Sequence, residues 1–170
     1  ERGKDGAIYS IHAPGLPALA LPAYLVGGRM GVVVFIAVLA ALTALAVFDL
    51  SAAIAGPTAA IAAWAACGLT VPFVPYAWMI FPEMPGACLV AWAALWVFRP
   101  VDRPWAIWLM RGVLLATLPW LHTKFIVFLA IFAAAIAWRL VPDWRRLLAF
   151  ATPRAPGRTA SRQRSLLLVS

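Results

Sequence analysis

Charge is scarce in this chain: only 12% of its 170 residues are charged, and six of them are acids. A soluble domain of that length could not cover its surface with so few polar groups, which excludes an ordinary water-soluble enzyme. Cysteine is as sparse. Cys67 and Cys88 stand in apolar segments with neither a CxxC spacing nor a metal-ligand neighbour, and they read as buried thiols behaving like small hydrophobes. A Gly-rich phosphate loop and an H-E-x-x-H pair are both missing, and no Ser-His-Asp set can be supported from sequence. Neither a solenoid repeat nor the inverted repeat of transporters is visible. The net charge of +8 invites a nucleic-acid partner, but no aromatic-basic platform accompanies it. The reading is no nucleic acid.

What the chain has in abundance is apolar length. It is 65% hydrophobic, has nine Trp, and its mean hydropathy is +0.92. Residues 30–48 carry no charge; at a rise of ~1.5 Å per residue they span about 28 Å, the hydrocarbon thickness of a bilayer. Residues 122–140 form a second clean span. Between them lie shorter apolar runs at 57–70, 84–98 and 105–118, the last carrying Arg111. Pro72 and Pro75 interrupt the helical hydrogen-bond ladder after the first of these. Irregular backbone at membrane depth survives only when buried in protein or lining a wet cavity. The predicted fold is all-α: a polytopic transmembrane helix bundle of four to five segments, some short or broken. Runs such as Ala59-Ala60-Ile61-Ala62-Ala63 and Ala133-Ala134-Ala135 suit close helix contacts in lipid.

Three regions follow. Residues 1–29 are expected as an extracytoplasmic loop and interfacial segment, with Pro14, Gly15 and Pro17 discouraging a regular helix. Residues 30–141 form the bundle. Residues 142–170 hold Arg145, Arg146, Arg154, Arg158, Arg162 and Arg164 among Pro, Ser, Thr and Gly, a basic tail that cannot fold alone. No secretory signal is recognisable at the start. The first residue is Glu, and the expectation is a piece of a longer protein that opens inside an extramembranous loop. With 1–29 outside, ten of the fourteen basic residues fall on the inner side, Arg111 snorkelling among them. Arg2, Lys4, Arg29 and Lys124 stay outside. That distribution obeys the positive-inside rule and puts the tail in the cytoplasm, where anionic headgroups can hold it.

One set of polar residues then gathers at the outer boundary. The first loop supplies Asp5, Tyr9 and His12, the second Tyr76 and Glu83, the third His122 and Lys124. Each has a structural alternative. The histidines can satisfy backbone carbonyls at the interface, Glu83 can cap the helix that follows it, and Lys124 can snorkel. Trp92, Trp96, Trp105, Trp108 and Trp120 read as interface-belt or packing residues. Against these stands the coincidence of an acid, two imidazoles and an ammonium at one membrane face. Ionisable groups there are costly, and His, Lys and Arg together could bind a lipid-linked phosphate by charge-assisted hydrogen bonds.

The segments carrying these residues resemble a known family. Asp5-Gly6-Ala7-Ile8-Tyr9-Ser10-Ile11-His12-Ala13-Pro14-Gly15-Leu16-Pro17, then Leu21-Pro22-Ala23-Tyr24 and Gly27-Gly28, look like the loop-to-helix passage of bacterial membrane glycosyltransferase-like proteins of the C-type glycosyltransferase fold. Protein mannosyltransferases and lipid A aminoarabinose transferases are relatives. Phe81-Pro82-Glu83-Met84-Pro85-Gly86-Ala87 and Leu118-Pro119-Trp120-Leu121-His122-Thr123-Lys124-Phe125 extend the likeness, which covers roughly residues 5–140. The resemblance implies transfer of a sugar from a polyprenyl-phosphate donor on the extracytoplasmic face of the bacterial inner membrane, with or without a divalent metal. It implies a substrate-binding set of Tyr9, His12, Glu83, His122 and Lys124, in which Lys124 and His122 hold donor phosphate, His12 shapes the cavity and Glu83 orients a polar group. The family's catalytic acid follows its first membrane helix, which would precede Glu1; Asp5 matches a later part of the loop and does not replace it. The catalytic residue therefore stays unassigned, and the chain is expected to be inactive alone. A membrane transporter or a non-enzymatic structural membrane protein is the alternative.

Overall fold

The computed structural model describes residues 13–99 and 104–140. Every element among them is helical: α1 (Gly15–Gly68), α2 (Phe73–Tyr76), α3 (Glu83–Phe98), α4 (Trp105–Ala116), α5 (Leu118–Leu121), a 3-10 turn (Thr123–Phe125) and α6 (Ile126–Leu140). The chain divides into two compact units, residues 1–136 and 137–170. By length and composition α1 is the one described helix able to cross a membrane; α3, α4 and α6 are apolar but shorter.

α1 is three arms joined at glycines. Gly28 (φ 56°) and Gly56 (φ 84°) adopt conformations that a Cβ would oppose, so the helix breaks at both. At the first break the chain reverses. A Cβ on Gly31 would strike the Ala23 carbonyl, whereas in a straight helix these residues would stand about 12 Å apart. Residues 15–26 thus fold back along the start of residues 29–55. The missing side chain of Gly31 allows the approach; Ala20 joins Val32, Ile36, Ala40 and Met84 in one buried cluster, with the half-buried Leu16 packed against it.

The first arm departs from the expected loop. Its helix starts at Gly15 and carries Pro17 in its first turn, where a missing N–H costs nothing because the first amides of a helix have no partner. Pro57 follows the second break for the same reason. Along residues 29–55, Val32, Ile36, Ala40, Thr43 and Ala46 are buried at helical spacing. Met84 of α3 lies against this face, its Sδ 3.9 Å from the Thr43 hydroxyl, which donates to the Leu39 carbonyl.

A second cluster, from Ala93, Leu115, Leu118, Leu121 and Phe125, packs α3 against α4, α5 and the turn before α6. Here Arg111 departs from the expected snorkelling. It is buried, its guanidinium carbon 5.0 Å from the Trp96 ring centre and 4.8 Å from that of Trp108. A weakly hydrated, planar cation between two indole faces gains attraction without reaching water. Trp96 and Trp108 are therefore packing partners of a cation, while Trp105 and Trp120 stay exposed.

Candidate functional site

The site begins where α3 begins. Pro82 caps the helix without a side-chain hydrogen bond, and Glu83 is the only acid in its first turn, favourably placed for the free amides and the positive end of the helix dipole. On the facing segment, α5 ends at Leu121 and His122 turns extended (φ −166°, ψ 141°) before the 3-10 turn. That single extended residue swings Lys124 toward α3.

The Lys124 ammonium donates to Glu83 Oε1 at 2.5 Å, linking residues from two separate loops. It also lies 5.4 Å from the centre of the Phe125 ring. The Lys124 backbone N–H donates to His122 Nδ1 at 3.3 Å. An Nδ1 that accepts a hydrogen bond carries no proton, so the neutral ring holds its proton on Nε2 and presents a donor there. Glu83 Oε2 is buried and has no hydrogen-bond partner. A cavity of about 230 Å³ adjoins the group, lined by Leu16, Pro17, Phe81, Pro82 and His122 among others.

A second contact clamps the same two segments. The Phe125 ring sits directly over Gly86, one turn along α3 from Glu83, in space that any Cβ on Gly86 would occupy. Tyr76 takes no part: it packs on the α1 cluster and meets Phe81 edge-on, ring centres 6.2 Å apart.

Of the residues singled out by sequence, Glu83, His122 and Lys124 are brought together. Tyr9 and His12, like Asp5, the basic tail and residues 100–103, lie outside the described residues. The Gly86–Phe125 clamp and the Trp96–Arg111–Trp108 stack were missed. Both sit in apolar sequence, where composition reports burial without naming the partner. Among the described residues no group of three His, Cys, Asp or Glu could hold a metal, and both cysteines are free thiols. No protein-family model matches the chain, nor does any curated protein or solved structure.

Proposed function

We propose that this chain is part of a polytopic integral-membrane glycosyltransferase that uses a polyprenyl-phosphate sugar donor at the extracytoplasmic face of a bacterial inner membrane, with its basic tail in the cytoplasm. The observation that carries the reading is the Glu83–Lys124 pair beside His122, with one carboxylate oxygen unpartnered. An ammonium has three protons to donate; Glu83 takes one, and two remain for a phosphate. The Nε2–H of His122 adds a neutral donor. Glu83 Oε2 is an acceptor suited to a sugar hydroxyl, and filling it would satisfy a buried oxygen. Membrane immersion is supported by the exposed faces: Val34, Val38, Ile61, Leu109, Val113, Val127 and Ile131 all point outward from their helices. The short helices would serve as oblique or broken crossings.

Binding of a polyprenyl phosphate to the purified protein in nanodiscs tests the site. A hydrogen bond to a charged group is worth ~1.5–3 kcal/mol, so Lys124→Ala is expected to weaken binding by roughly 10- to 100-fold. His122→Ala should weaken it less, since its donor is neutral. Helical content should stay unchanged in both. Unaltered affinity in the two variants would remove these residues from the site.

A further inference from the structure

The exposed side of α1 continues past the ion pair without a polar break. Met30, Val34, Val38, Leu42 and Leu45 form one outward stripe, exposed by between 38% and 67%, opposite the buried Val32, Ile36, Ala40 and Thr43. On the folded-back arm, Leu21, Leu25 and Val26 are 52%, 75% and 93% exposed. From Ala13 to Phe48 the only charged residue is Arg29, at the hairpin turn beside Gly28; Arg29 and Tyr24 share the lining of one cavity there.

Height along the helix gives this stripe its meaning. Met84, next to Glu83, has its Sδ 3.9 Å from the Thr43 hydroxyl and shares a buried cluster with Val32, Ile36 and Ala40. From Arg29 to Ala40 the helix travels roughly 16 Å. The hairpin thus stands about 16 Å beyond the stretch of α1 where Met84 is seated, about half the ~30 Å hydrocarbon thickness. A purely apolar hairpin projecting that far into water would leave its most exposed residues unpaired with any apolar surface. The stripe is instead continuous with the lower part of the same helix, and the charge-free run ends at Arg29 with Tyr24 alongside, the basic-aromatic combination that anchors segments at headgroup level.

We propose that residues 15–36 form a helical hairpin immersed in one lipid leaflet, its Gly27–Gly28 turn at the headgroups and its outer stripe against acyl chains, which places the Glu83–Lys124 pair recessed toward the middle of the membrane. This rests on the integral-membrane reading given above. Its consequence is a polar site approached through the protein's own cavity beside His122, not from an open membrane surface.

Nitroxide labels at single cysteines test it in proteoliposomes of the full chain carrying Cys67→Ala and Cys88→Ala. Leu21→Cys and Val34→Cys report the hairpin, and Leu45→Cys the lower stripe; all three are exposed positions. Collisions with oxygen, which concentrates in hydrocarbon, should exceed those with a water-soluble nickel chelate at all three. Leu21 and Val34 reached by the chelate, with Leu45 still in oxygen, would overturn the hairpin proposal alone. Leu45 reached by the chelate would overturn the membrane reading and the hairpin with it. Shielding of Leu21 and Val34 from both reagents would mean that protein covers the hairpin, and the lipid assignment would fall.

Discussion

Under the proposed glycosyltransferase function, exchanging Glu83 for glutamine is expected to lower sugar transfer by roughly 10²-fold or more, the order seen when a positioned electrostatic or acid–base group is lost. The swap keeps the volume and one acceptor oxygen, but removes the charge and turns the other oxygen into an NH2 donor. Two roles meet in Glu83, and the exchange separates them. As a helix-terminal anion it contributes ~0.3–1 kcal/mol, a loss that α3 should survive given that Met84, Pro85 and Gly86 behind it are buried. As the partner of Lys124 it sets where the ammonium points, and its second oxygen is the buried acceptor with no partner. Sugar transfer from a polyprenyl-phosphate donor, measured alongside melting in detergent, distinguishes them. Near-normal turnover in a well-folded variant would make Glu83 a helix-terminal residue and nothing more.

Gly86→Val should act on the same site from behind. A side chain at Gly86 enters the volume of the Phe125 ring, so Phe125 must move. Overpacking of this kind typically costs ~1–3 kcal/mol. The ring adjoins Lys124 in sequence, and the displacement is transmitted to the ammonium. A shift near 1 Å in a positioning residue can reduce rate by about 10²-fold. The expected result is a lower melting temperature together with weakened phosphate binding. Phe125→Ala in the Gly86→Val background opens the space again and should recover part of the stability. A Gly86→Val protein with native melting and native phosphate affinity would show that the clamp does not hold the site.

The candidate site was legible in part because polar residues are so few. Glu83, His122 and Lys124 interrupt long apolar runs, and assigning those runs to crossings put the three on one side before any packing was known. Their geometry was not legible. That Lys124 reaches Glu83 depends on one extended residue, His122, between two short helices, and neither hydropathy nor periodicity marks that backbone state. In sequence Pro17 reads as a helix breaker, although a proline in the first turn leaves no hydrogen bond unmade. Arg111 was placed by the cost of a charge in lipid, a rule blind to two indoles within about 5 Å.

By itself the sequence determined that this protein is helical and apolar, with a charge-free stretch between Arg29 and Asp49 of bilayer length, because length and hydropathy are sums along the chain. Only the tertiary structure decided where the chain reverses, which helices lie side by side, and which side chains meet across separate loops. Those depend on contacts between residues far apart in sequence: Gly31 closing on Ala23, Met84 seated at Thr43, Phe125 over Gly86. A glycine allows such an approach wherever it occurs, and the facing surface alone selects which glycine is used.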